Sequence, residues 1–164
     1  MKKISMAKRI LALSLALLTL VSLTALVSCG GGNGKSYVFK KGNVTMEIGK
    51  SADCLTQLGT PSNVESYNAT CGDTAVINKL YTYPGFQVHT TPEKNGDIIF
   101  KILITDDSVK TPEGLTIGST RAQVTSALGN GSSAGGNITY EGKGMKLQFY
   151  FRGDEVINIL YEET

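Results

Sequence analysis

The chain has 164 residues, 41% hydrophobic and 18% charged, with 19 Gly, 3 Cys, one His and no Trp, a length for one domain or two small ones. Four of its 16 basic residues (Lys2, Lys3, Lys8, Arg9) fall in the first 28 positions, so the remainder carries 12 basic against 14 acidic groups, or −2, despite the formal +2. A near-neutral body of this kind excludes nucleic-acid binding by charge. Met1 to Arg9 is short and basic, and Ile10 to Val27 runs eighteen residues without a charge, the pattern of an export signal. Eighteen apolar residues also just suffice to span a bilayer, so length alone leaves cleavage and retention open.

The next residues separate the two. Leu26-Val27-Ser28-Cys29, followed by the flexible Gly30-Gly31-Gly32-Asn33-Gly34, resembles the bacterial lipobox and its tether. The resemblance implies that residues 1–28 are a lipoprotein signal peptide, that Cys29 is lipidated with palmitate-type acyl chains, and that 29–36 tether a globular region to the extracytoplasmic face of the cell membrane. Each buried methylene is worth about 0.8 kcal/mol, so one chain holds reversibly and two hold firmly. Gly30 to Ser36, GGGNGKS, ends like a phosphate-binding loop, but the first Gly of that motif would fall at position 29, which is Cys.

Beyond the tether, Tyr37-Val38-Phe39, a Lys40 to Asn43 turn and Val44 to Ile48 predict an opening hairpin. An internal repeat then organises the chain. Met46-Glu47-Ile48-Gly49 is echoed by Leu115-Thr116-Ile117-Gly118; helical stretches Ser51 to Leu58 and Thr120 to Leu128 follow, each ending in Leu-Gly, where Gly accepts the left-handed helix stop. Thr120-Arg121-Ala122-Gln123 fits a capping box. After each helix come β-type segments: Tyr81 to Thr90 and Ile98 to Ile104 in the first copy, then Tyr140, Met145 to Phe151 and Val156 to Tyr161 in the second. Gly96-Asp97-Ile98-Ile99 parallels Gly153-Asp154-Glu155-Val156. Gly129 to Asn137 is Gly-rich enough to predict a mobile loop.

The expected fold is therefore α+β, two tandem repeats, each a short helical segment followed by an antiparallel three-stranded meander. The first repeat spans 37–105, a polar linker 106–114, and the second repeat 115–164. This arrangement resembles the tandem-repeat secreted proteins typified by β-lactamase inhibitory protein and, in single copy, the SmpA/OmlA outer-membrane lipoproteins. Thr70-Cys71-Gly72-Asp73, Tyr81 to Phe86 and Asp106 to Val109 look like uncharacterised lipoproteins of Gram-positive bacteria. The inhibitor carries a disulfide in each repeat; here both remaining cysteines fall in the first copy, which speaks against a lactamase-inhibiting role.

Once Cys29 is lipidated, Cys54 and Cys71 are an even pair in an exported chain, which reads as a disulfide; a buried free thiol at Cys54 is the alternative. His89 is the single imidazole, and no positioned Ser or metal-ligand spacing accompanies it, so neither a catalytic residue nor a cofactor or metal is assigned. Tyr and Phe recur through the strands of both copies. Phe149-Tyr150-Phe151 points rings to both faces of one strand, and Tyr83, Phe86, Tyr140 and Tyr150 are the candidate binding surface, since exposed Tyr is what protein interfaces use. The functional expectation is an envelope-anchored, non-catalytic protein- or ligand-binding module, with a cell-surface enzyme or an envelope assembly or inhibitor-like factor as alternatives. Its expected partners are the membrane, through the lipid, and an envelope protein.

Overall fold

In the computed structural model the described residues are 34–71 and 74–164; the leader, the Cys29 lipobox and most of the tether lie outside them. Phe39–Lys41 (β1) and Val44–Met46 (β2) pair antiparallel as the expected hairpin. A 3-10 helix, Ala52–Leu58 (α1), follows. Four strands come next, Asn63–Cys71 (β3), Thr74–Tyr83 (β4), Phe86–Glu93 (β5) and Gly96–Ile104 (β6). After the linker come Arg121–Leu128 (α2), Ser132–Ala134 (β7), Asn137–Gly142 (β8), Met145–Arg152 (β9) and Glu155–Glu163 (β10).

The eight strands β3 to β10 form one antiparallel sheet in the order β3-β4-β5-β6-β10-β9-β8-β7, which overturns the α+β reading of two helix-plus-meander repeats. The molecule is mostly β. Its helices are seven and eight residues long, each half supplies four strands to the large sheet rather than three, and β6 pairs with β10 from Ile104↔Ile159 to Lys101↔Glu162, so the strands of the two halves join in one sheet. The additional strands are β3, which lies between the first helix and the expected β-type segment at Tyr81, and β7. The mobile loop expected over Gly129 to Asn137 instead contains β7 and a turn at Gly135-Gly136, both with positive φ, as a two-residue hairpin turn of the primed type requires.

Local signals were obeyed where they concern the helix ends. Thr120 Oγ1 accepts from Gln123 N at 3.2 Å and Gln123 Oε1 accepts from Thr120 N at 2.7 Å, a complete capping box. The two Gly landmarks make equivalent bonds: Gly49 N donates to Ile99 O, and Gly118 N donates to Val156 O. Each therefore ties the approach to its helix onto the last strand of its own half.

One side of the sheet carries the core. Alternation along β5, β6, β8, β9 and β10 turns Phe86, Val88, Ile102, Ile104, Ile138, Leu147, Phe149, Ile159 and Tyr161 to this side, all buried, as expected of a sheet with one covered face. The β1–β2 hairpin closes over it through Phe39 and Met46, both fully buried, with the Phe39 ring 5.0 Å from Phe86 and 6.0 Å from Tyr161. α1 and α2 add Leu55 and Val124. The linker docks too, burying Val109 and Thr111. Asp106, the first residue of the polar linker, holds its turn, its carboxylate accepting from Ser108 N at 2.8 Å.

Candidate binding surface

Residues directly paired across strands share a face, so the registers identify what lies on the sheet opposite the core. Tyr67 and Leu80 lie there with His89; Phe100, Lys101 and Leu103 with Leu160 and Glu162; Lys146, Gln148 and Tyr150 with Thr139 and Glu141. No helix of the described residues covers this face. Yet most of these side chains are only partly exposed and Leu160 is buried, because neighbours on the same face shield one another.

The expected site residues divide on this criterion. Tyr83, Phe86 and Tyr140 belong to the core, at 6%, 1% and 5% exposure; Tyr83 stacks on Phe86 at 5.1 Å, and Tyr140 meets Phe149 edge-on at 6.0 Å. They are thereby removed from the binding surface, since an aromatic on a half-covered strand is pulled to the side where it loses water contact. Tyr150 alone lies on the outward face, its hydroxyl donating to Gln148 Oε1 at 3.0 Å, while Gln148 Nε2 donates to Thr139 Oγ1 at 3.3 Å.

Tyr67 and Phe100, which the sequence did not single out, surround His89 on this face. Its Nδ1 lies 2.9 Å from the Tyr67 hydroxyl, and the ring meets Tyr67 and Phe100 edge-on, each at 5.9 Å. Burial, and then the charge of Lys101, push the His89 pKa below its ordinary value. The neutral ring is thus favoured, and its Nδ1 shares one hydrogen bond with the Tyr67 hydroxyl. A lowered folded-state pKa means that the unfolded chain takes up the proton first, so His89 supports the fold above about pH 6.5 and this support is lost as pH falls further. We expect the thermal midpoint to drop between pH 7 and pH 5 more steeply for the wild type than for His89→Gln, measured by circular dichroism. Equal slopes would show that the ring is not held neutral.

Beside this cluster runs a short ion-pair ladder. Glu162 receives Lys146 at 3.0 Å and Lys101 at 3.8 Å, and hydrogen bonding to Glu162 raises the Lys146 pKa. Such part-exposed pairs contribute little to stability; their effect is to fix charge positions on the face.

A cleft of about 400 Å³ lies on the core side between α1 and β4, lined by Leu55, Thr56, Pro61, Tyr81 and the ion pair of Lys79 with Asp97 at 2.9 Å. Its volume falls within the range of small-molecule cavities. Cys54 lies nearby as a free cysteine, its thiol donating to Ser51 O at 3.7 Å. The disulfide with Cys71 expected from the sequence does not form. Cys71 pairs with Thr74 at the end of the β3–β4 hairpin remote from Tyr83, about 27 Å of strand from Asn63, whereas Cys54 stands between Asp53 and Leu55, which line the cleft together with Tyr81 and Tyr83, and a bridge needs Cα atoms within about 7 Å. Burial, with a smaller contribution from Asp53, holds the Cys54 thiol above its ordinary pKa, which makes it a poor nucleophile.

Among the described residues no three His, Cys, Asp or Glu side chains converge as a metal site, and no helix is long and apolar enough to cross a membrane. Neither a protein-family model nor a curated protein matches the chain. Among solved structures it is similar to the uncharacterized protein yfeY from Escherichia coli, at 15% sequence identity and a TM-score of 0.47, over 78% of this chain and the whole of that one.

Proposed function

We propose that this chain is a non-catalytic binding module that presents the outward face of its eight-stranded sheet to a protein partner, held at an envelope membrane by a lipid on Cys29. The observation that supports this reading is the make-up of that face. Tyr67, Phe100, Leu103 and Tyr150 are neither sunk in the core nor freely solvated, and Lys101, Lys146 and Glu162 stand among them. Protein interfaces combine such aromatic and aliphatic centres with a polar rim, and their strongest contacts come from Tyr-type anchors.

A photo-reactive amino acid placed at Leu103 in intact cells, compared with one at the exposed Ser126 of α2, tests the surface. One dominant adduct from position 103 that is absent from position 126 is the expected result; no adduct, or the same adducts from both, would remove the outward face as the binding site. The anchor is tested separately by intact mass of the membrane-extracted protein. Loss of residues 1–28 with a lipid mass on Cys29 supports it, and a retained leader without lipid overturns it.

A further inference from the structure

β3 forms an outer edge of the large sheet, and among the described residues no strand pairs with its outer side. The opposite edge, β7, is only three residues long, which is one ordinary way of blunting an edge. β3 has nine residues in unbroken register with β4. Natural edges are guarded by Lys, Pro, bulges or shortness, and β3 has none of these; its sequence is Asn-Val-Glu-Ser-Tyr-Asn-Ala-Thr-Cys, with Glu65 its one charge. The core-side face of the same hairpin is also uncovered. Val64 is 49% exposed and Ile77, one strand in, 59%.

We infer that this edge is a self-association surface, through which two copies pair antiparallel, β3 against β3, about a two-fold axis at Tyr67. The main-chain donors and acceptors of an open edge are satisfied by another extended strand, and a second copy supplies one of equal length and equal regularity. Length sets the position of the axis, since Tyr67 is the middle of the nine residues and an axis there leaves none of them unpaired. With the axis at Tyr67, Glu65 stands opposite the partner's Ala69, so the one charge of the edge is never set against itself, the juxtaposition that destabilises strand pairs. An axis at Glu65 would impose that contact. At the chosen axis Tyr67 meets the partner's Tyr67 on the outward face, Val64 meets the partner's Thr70, and Ser66 meets the partner's Asn68. The contact is isologous and therefore closes at two copies.

Joining the eight-stranded sheets makes their outward faces continuous, with a Tyr67–His89 pair on each side of the axis. The inference rests on the edge alone and does not require the outward face to bind another protein.

The test uses the full chain in a mild non-ionic detergent, with self-association read by detergent-corrected sedimentation equilibrium. Ser66 and Asn68 are exposed and have no packing role in one copy, so a Ser66→Lys/Asn68→Lys variant keeps the wild-type circular dichroism spectrum. Two like-charge pairs across the axis are expected to weaken its dimer about tenfold or more. An equimolar mixture with a Ser66→Glu/Asn68→Glu variant restores dimers, since each Lys then faces a carboxylate. A wild type that sediments as a monomer overturns the inference, as does a dimer that the Lys variant leaves unchanged or a mixture that fails to recover. Association through the apolar leader would give the second of these outcomes.

Discussion

Replacing Phe39 by Ala is expected to lower the unfolding free energy by about 3–5 kcal/mol, the cost of emptying a fully buried aromatic site. Phe39 stands on a three-residue strand of a two-stranded hairpin that shares no backbone ladder with the large sheet. Its ring wedges between Phe86 and Tyr161, at 5.0 and 6.0 Å, and Met46 is the only other fully buried side chain of that hairpin. Truncating the ring leaves a cavity at the centre of the core and removes much of the apolar contact that holds the hairpin down. Urea unfolding should show a lowered midpoint. Amide exchange should separate two outcomes: if the hairpin detaches first, β1 and β2 lose protection before β5 and β6 do, whereas uniform loss would show that hairpin and sheet unfold together.

The second large effect has the opposite sign. Tyr161 is 1% exposed and its hydroxyl has no hydrogen-bond partner. Burial, with a smaller contribution from Glu113, raises its pKa far above the ordinary phenol value. A buried donor left unmade costs about 1–3 kcal/mol, so Tyr161→Phe is expected to stabilise the fold by about that amount. A pH signature accompanies it. Because the folded-state pKa is raised, the protonated phenol supports the fold below about pH 10 relative to higher pH, and that support is lost as the unfolded chain ionises above it. The wild type should therefore lose stability faster than Tyr161→Phe between pH 9 and pH 11, read as the shift in urea midpoint. A destabilised Phe variant would show that the hydroxyl is bonded to a buried water. Thr90 Oγ1 is orphaned on the same side of the sheet, and the same argument applies to Thr90→Val.

What could be read from the sequence was what is decided within a few residues. The helix positions, the capping box at Thr120 and the Gly49 and Gly118 landmarks depend on local hydrogen bonding, and the structure retains them. Strands β5, β6, β9 and β10 announce themselves because one face is buried and the other is not. β3 gave no such signal for a physical reason. Val64, Ser66 and Asn68 point toward the core side but beyond its cover, so nothing in the fold demands apolar residues there.

The same gap explains the candidate surface. Composition shows that aromatics are plentiful in the strands, but not which side of the sheet the helices and the hairpin will cover. Tyr83, Phe86 and Tyr140 went to the covered side. The Phe149-Tyr150-Phe151 run was informative because alternation forces neighbouring rings apart, and Tyr150 does face outward from the fully buried Phe149. The Tyr67–His89 contact spans 22 positions in the chain and depends on the β3–β4 register, so with β3 unrecognised it had no sequence signature.

Six of the seven strand pairings in the large sheet join consecutive strands; the β6–β10 seam alone does not. It brings Ile104 against Ile159, 55 positions later, and its loop-closure entropy is the largest that any pairing in the sheet demands. Each flank can zip by short hairpins, whereas the seam must wait for two ordered partners. Folding should therefore be limited by one non-local search, with truncations at Ile102 or Leu160 slowing refolding and truncations in the β7–β8 hairpin mainly hastening unfolding. Because the seam uses strand edges that are open until both flanks meet, it is also where two nascent chains could exchange halves, each completing the other's sheet.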